Sequence, residues 1–350
     1  MKFLFPIHLL LLILAATGCD QVQQMAKREE SQEPPQIPAR PVEMPATQVA
    51  DDPPPPKPKT PEEILADFDA TPTHQRTNEQ LQELGALKTS LDKLEVLDLT
   101  QSQVNDEGTD VLSRFASCRE LILNSTLVTS VGLARLPEMP ALEVLSLDGS
   151  AVDTGIGVIA KECPKLTVLS LRQTPIGDGV FSGLAEAPQL EVLHIDGNVN
   201  LTGNEMDALI KQGKFQSLRE LTASNTQLGL YMLRNVEKLK NLEVLNMSNT
   251  QMADDIVKGF AQCPNLRVLR LENNQISDQG IQALARLRKL EELNLYGNPA
   301  VTDQSFNVLK NLKQLKSLNV ESTGCTLDAA KLLKEKFLKE TEIVIQNQAL

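Results

Sequence analysis

A pair of apolar residues separated by one position returns along this chain every 24 residues. Leu97/Leu99, Leu121/Leu123, Leu145/Leu147, Leu169/Leu171 and Leu193/Ile195 keep that spacing without error. One 28-residue step leads to Leu221/Ala223, and Leu245/Met247, Leu269/Leu271 and Leu293/Leu295 resume the period. Two 25-residue steps then give Leu318/Val320 and Ile343/Ile345. A fixed period of this length means stacked copies of one supersecondary unit that bury a shared, continuous core.

Aligned on Leu97, Leu121 and their equivalents, the columns have distinct physical roles. Three positions earlier stand Leu94, Leu142, Leu166, Leu190 and others, with Cys118 in the second repeat. The resulting L-x-x-L-x-L ends with period 2, which predicts a short strand with apolar residues inward. Five residues after the reference Leu comes a small polar column: Ser102, Thr126, Ser150, Thr174, Asn198, Thr226, Thr250, Asn274, Asn298 and Thr323. Such side chains satisfy the backbone of a tight turn and are expected to bridge adjacent coils. Val104, Val128, Val152, Ile176, Met252 and Ile276 plug that turn. Asn105-Asp106, Thr129-Ser130, Ser277-Asp278 and Thr302-Asp303 then place a capping residue and, in most repeats, an acid where a helix begins. Ile281, Leu284 and Leu287 give the apolar face of that helix.

The motif L-x-x-L-x-L-x-x-[NST]-x-[VI]-[TSN]-D, complete at Leu94–Asp106 and Leu266–Asp278, resembles the leucine-rich repeat family, in its ribonuclease-inhibitor-like class and cysteine-containing subtype. Leu290–Asp303 fits with one residue inserted, and the repeat around Leu221 departs most, with Ala223 and Gly229-Leu230 in place of the usual residues. The resemblance covers Leu94 to Ile345. It implies an α/β fold: a right-handed horseshoe solenoid of about ten to eleven repeats, with a parallel sheet on the concave face and helices on the convex face. It also implies protein–protein binding on the concave face and no catalytic residues. Leu81, Leu84, Leu87 and Leu91 are expected to form an N-terminal cap helix, and Asp328–Glu340 with Glu342–Ile345 a closing repeat. The cysteine-containing subtype further suggests the substrate-recognition half of a ubiquitin-ligase adaptor. A leader sequence and the lack of a helical adaptor segment before Leu81 weigh against that reading.

Residues 1–18 have the make-up of a signal peptide, with Lys2 followed by an apolar run from Phe3 to Ala16. Fourteen apolar residues are short for a membrane span of about 20. Ala16-Thr17-Gly18-Cys19 resembles the bacterial lipobox, departing from it at Ala16, where Leu is usual. The resemblance implies lipidation of Cys19 and an exported, envelope-anchored protein, ordinary cleavage at the same place being the alternative. Residues 19–76 are expected to be a solvated tether, since prolines crowd Pro34 to Pro61, including Pro53-Pro54-Pro55-Pro56. A docking ligand for a proline-recognition module is the alternative there. Thr60-Pro61-Glu62-Glu63 carries a capping box, and Ile64, Leu65 and Phe68 are assigned to one short amphipathic turn on the stalk. Residues 77–350 form the repeat domain.

The net charge of -12 argues against a nucleic-acid partner, which needs basic faces. Four cysteines follow Cys19. Cys163 and Cys263 share a column four repeats apart, about 19 Å at a strand spacing of about 4.8 Å, too far for a disulfide. All four sit in apolar columns, so no disulfide, metal site or cofactor is expected, and no catalytic motif appears.

The candidate ligand face is the outward side of the strands, one before, one after and three after the reference Leu. A valine band there includes Val144, Val168 and Val192. Beside it runs a polar and acidic band: Asp98, Asp148, Arg172, His194, Asp196, Asn246, Arg270, Glu272, Tyr296 and Glu321. Together they would suit a protein with a basic, partly apolar surface, engaged by a monomer. Valine is also a strong strand former, which explains the band without a ligand. A spacer with no specific ligand is the rival reading, and the extra residues near Val199-Asn200 and Ile210–Phe215 are assigned to a neutral insertion, a second binding loop on that longer repeat being the alternative.

Overall fold

The structure, a computed structural model, describes residues 58–350 except 88–90, 92–93, 137 and 232–233, and omits the side chains of 230 and 231. The expected leader, Cys19 and most of the proline-rich stretch lie outside the described residues.

Each L-x-L forms a three-residue strand: β1 Val96–Asp98, β2 Glu120–Ile122, β3 Val144–Ser146, β4 Val168–Ser170, β5 Val192–His194, β6 Glu220–Thr222, β7 Val244–Asn246, β8 Val268–Arg270, β9 Glu292–Asn294 and β10 Ser317–Asn319. β11 (Glu342–Ile345) and β12 (Gln348–Ala349) complete one sheet in strict sequence order. β1 to β11 are parallel, and the reference Leu of each strand pairs with the reference residue of the next. The register survives the 28-residue step, where Leu193 pairs with Leu221. That repeat spends its extra residues on a longer outer helix, Asn204–Lys211, and on the turn through Gly213 (φ 85) that follows it. The chain is an α/β leucine-rich repeat solenoid.

The core is a continuous column. The reference Leu, its neighbour two on, and the turn plugs from Val104 to Val301 are all buried, and Phe115, Phe181 and Phe260 fill it from the convex side. Gln101, Ser125, Gln173, Asn225, Asn249, Asn273 and Ser322 take left-handed φ of 50 to 57° at the corner after each strand. Gly149, Gly197 and Gly297 hold the same place, where a Cβ is a burden.

The expected outer helices are present but short: the first repeat carries only the 3-10 segment Gly108–Arg114, and Thr154–Val158 is a 3-10 turn that runs into the helix Ile159–Glu162. The strand and its two corners leave little chain for an outer helix, and sequences such as Gly155-Ile156-Gly157-Val158 propagate α-helix poorly. The expected bridging by the small polar column also divides by residue type. The buried asparagines do bridge coils: Asn198 donates to the carbonyls of Leu171 (2.7 Å) and Ile195 (2.8 Å). Hydroxyls mostly turn back on their own repeat, as Thr126 does to Leu123 and Ser150 to Leu147.

Both ends are covered. At the start, Pro61–Ala70 is a helix with the predicted capping box between Thr60 and Glu63. The sequence places this helix on the stalk, before a domain starting at 77, whereas it joins the core of the repeats. Phe68 is buried in the common core, with Arg76 stacked 4.2 Å over its ring and donating to the Asp98 carbonyl. One aromatic residue with a cation to cover it outweighs the surrounding proline-rich composition. Asn78–Gly85 is the second cap helix, burying Leu81 and Leu84, while Leu87 and Leu91 pack beyond its end. At the far end, Leu327–Lys336 and β11 form the closing repeat, and β12 folds back antiparallel through Gln346 and Asn347, both at positive φ. That hairpin shields the last sheet edge.

Candidate functional site

The pleat sets the face. In most strands the central Leu is buried and its two neighbours are half-buried, so both neighbours look away from the core. The predicted residues are therefore brought onto one surface, running from Asp98 on β1 to Glu321 just after β10. Val144, Val168 and Val192 lie side by side along adjacent strands.

The polar band proves to be organised between repeats. Asn124 accepts from Ser146 (2.7 Å) and from the Asp148 backbone (2.8 Å). Asp148 accepts from Ser170 (2.6 Å) and the Arg172 backbone (2.8 Å). Asp196 accepts the Ser224 backbone N–H (2.7 Å) and hydroxyl (2.6 Å) and the Thr222 hydroxyl. Arg172 sits between the two carboxylates, 3.3 Å from Asp148 and 3.0 Å from Asp196. Burial pushes the Asp196 carboxyl up, but the Ser224, Thr222 and Arg172 donors outweigh it and hold it below the usual carboxylate range.

Further along, His194 meets Glu220 at 3.0 Å and Arg270 forms a two-pronged pair with Glu292 at 2.8 and 3.2 Å. Glu272 accepts from Asn294 at 2.6 Å, and burial raises its carboxyl above the ordinary range. Asp98 and Asn246 each cap their own turn, through Thr100 and Ser248. Tyr296 is exposed and Glu321 half-buried. Counting Glu120, Glu220 and Glu292, carboxylates on this face outnumber its cations, Arg172 and Arg270.

One device was missed in the sequence. Two positions before the reference Leu of six successive repeats stand Glu191, Arg219, Glu243, Arg267, Glu291 and Lys316, an alternating series visible only when repeats are aligned. They form a lateral ribbon of ion pairs: Arg219 with Glu191 (3.2 Å) and Glu243 (2.9 Å), Arg267 with Glu243 (3.9 Å) and Glu291 (2.7 Å), Lys316 with Glu291 (2.6 Å). Glu291, flanked by two cations, has its carboxyl lowered to about 2.

Cys118, Cys163, Cys263 and Cys325 are free and buried in the expected columns. Burial pushes the Cys163 and Cys263 thiols up to about 12, and they are packing groups rather than nucleophiles.

A family model described as leucine-rich repeats (2 copies) matches residues 264–307. An internalin (InlF) from Listeria monocytogenes is similar in structure at 19% identity, over 81% of this chain and 87% of its own, with a TM-score of 0.54. An internalin C2 (InlC2) from the same organism is similar at 21% identity over 53% of this chain and 84% of its own, with a TM-score of 0.42. The plant peptide hormone receptor RGFR1, solved in complex with RGF2, is similar at 16% identity over 73% and 48%, with a TM-score of 0.43. No curated protein matches the chain in sequence. The first likeness is one of fold, and it agrees with the repeat architecture described above.

Proposed function

We propose that this chain is a non-enzymatic binding scaffold of the bacterial cell envelope, exported and anchored by lipid on Cys19, that receives a protein partner on its concave face. The observation that carries this reading is the open face across β3 to β6. There half-buried Val144, Val168 and Val192 adjoin a carboxylate-rich row fixed in place by Arg172 and the inter-repeat bonds. A rigid row of carboxylates beside an apolar band complements a basic, partly apolar protein surface. Few tryptophan-, tyrosine- or arginine-type anchors are present, so binding is of moderate strength. The protein acts as a monomer, and the 24-residue period supports the ribonuclease-inhibitor-like, cysteine-containing class.

The test is partner capture by wild-type protein and by a Val168→Glu/Val192→Glu variant, both checked for an unchanged melting curve. Loss of capture supports the proposal, and undiminished capture removes it. The anchor is tested separately: Cys19→Ser is expected to abolish incorporation of labelled fatty acid, and continued incorporation overturns it.

A spacer without a ligand is favoured by one observation, that Asp148 and Asp196 are largely occupied by bonds to the next repeat. It predicts that inner-face substitutions are silent while removal of residues 19–57 is harmful.

A further inference from the structure

The valine band is interrupted at Glu220 and resumes at Val244 and Val268, but the polar positions beside it change along the concave face. Across β3 to β5 they include Ser146, Ser170, His194, Arg172 and the aspartates. Across β7 to β10 they wall a shallow depression with Asn246, Ser248, Glu272, Asn294, Tyr296 and Asn319 among other polar residues. No valine, leucine or cation lines it. Arg270, which lies between Asn246 and Asn294 in the row, is turned aside into its pair with Glu292.

The fold engages the Oδ1 end of all three amides but the NH₂ of Asn294 alone. Asn246 accepts the Ser248 N–H (3.1 Å) and hydroxyl (2.8 Å), Asn294 the Tyr296 N–H (3.1 Å) and Asn319 the Glu321 N–H (2.9 Å), all through Oδ1. These bonds fix the side chains while leaving the NH₂ ends on the face. Asn294 spends its NH₂ on Glu272, orienting that carboxylate. The NH₂ groups of Asn246 and Asn319 find no acceptor among the described residues. The result is a set of immobilised amide donors around one oriented carboxylate, with the exposed ring of Tyr296 at the edge.

This composition excludes ligand classes in turn. Phosphates and other anions need cations, which are missing from the walls. Lipids and hydrophobic peptide anchors need apolar walls, which are missing too. Fixed amides and a carboxylate suit vicinal hydroxyls, each a donor and an acceptor, and an aromatic ring offers an apolar face with a polar tip. We propose that this depression binds a neutral, hydroxyl-rich glycan chain, seated on Tyr296 and held by Glu272 and the amides of Asn246 and Asn319. The proposal requires the concave face to be open but does not depend on a protein partner bound at β3 to β6.

The test is titration calorimetry of the purified full chain in detergent with cellotetraose, chitotetraose and mannotetraose, in the absence of any partner protein. At least one probe is expected to saturate. Tyr296→Ala should weaken that probe about tenfold, as expected for loss of an aromatic platform, and Glu272→Gln should weaken it as well. Val168→Glu/Val192→Glu should leave it unchanged, which separates this site from the protein-binding reading. Both site variants are confirmed as folded by their melting curves. The proposal is overturned by absence of saturation with all three probes, by equal binding in both site variants, or by tighter binding of a charged oligosaccharide than of its neutral counterpart.

Discussion

Asp278 of one coil holds Thr302 of the next: its carboxylate accepts the Thr302 backbone N–H at 2.9 Å and the Thr302 hydroxyl at 2.6 Å. The same relationship joins Asp106 to Thr129, Asp178 to Thr202, Asp254 to Ser277 and Asp303 to Thr326. These acids look like helix-dipole partners in the sequence, and they act as rungs between repeats. Asp278→Ala leaves a backbone N–H and two hydroxyls without their acceptor. It is expected to cost about 1–3 kcal/mol in denaturant unfolding, and a change below about 0.5 kcal/mol would show the rung to be incidental.

Acid should loosen this ladder. Burial acts to raise the Asp278 carboxyl, but the Ser305 and Thr302 hydroxyls dominate and lower it, and Asp196 is lowered in the same manner. A carboxyl lowered in the folded state stabilises at pH values above its unfolded value of about 3.9 and loses that contribution as pH falls through the folded value. Unfolding free energy is therefore expected to decline below about pH 4, and less steeply in Asp278→Asn. Glu272 has the opposite sign: its raised carboxyl opposes folding when ionised. Glu272→Gln is expected to be neutral or stabilising at pH 7, as read by thermal melting.

Asparagine and threonine at the turn column should separate in a mutational series. Asn298 is fully buried, donates to Leu271 and Leu295 (both 2.9 Å) and accepts from Ile276 (3.2 Å). Its replacement by Ala orphans groups in two coils and is expected to cost about 2–4 kcal/mol. Thr126→Val removes one bond within a single coil and is expected to cost about 1 kcal/mol. Equal losses would contradict the division of labour between the two residue types.

Two glycines make a sharper pair. A Cβ on Gly183 would meet the backbone of Gly157 at 2.5 Å, whereas one on Gly177 would find only the Thr154 hydroxyl, at 3.8 Å. Gly183→Ala is expected to destabilise by about 1–3 kcal/mol through forced separation of neighbouring coils. Gly177→Ala should stay within about 0.5 kcal/mol of wild type. Melting curves of the two variants decide this.

The repeat, its strand register, the capping box at Thr60 and the buried cysteines were legible because each is a local pattern at a fixed offset. The ion-pair ribbon from Glu191 to Lys316 was not, since its partners are a whole repeat apart and look like scattered surface charges until they are aligned. The binding face was legible as a set of positions, because alternation along a strand dictates which side chains point outward. The engagement of Asp148 and Asp196 with the next repeat was not, because hydroxyl partners such as Ser224 carry no signal in the sequence. Phe68 was assigned to the stalk because composition was weighed over a whole segment, whereas burial is decided by one side chain and the cation above it.

The most direct test of the account places a photoactivated cross-linking residue at position 168, on the valine band, or at position 279, on the exposed convex side, and irradiates intact envelopes. A single protein adduct at 168 that is absent at 279, and that disappears when Val192→Glu is added, is the predicted result. No adduct at 168, or the same adducts from both positions, would contradict a concave face built to receive a partner.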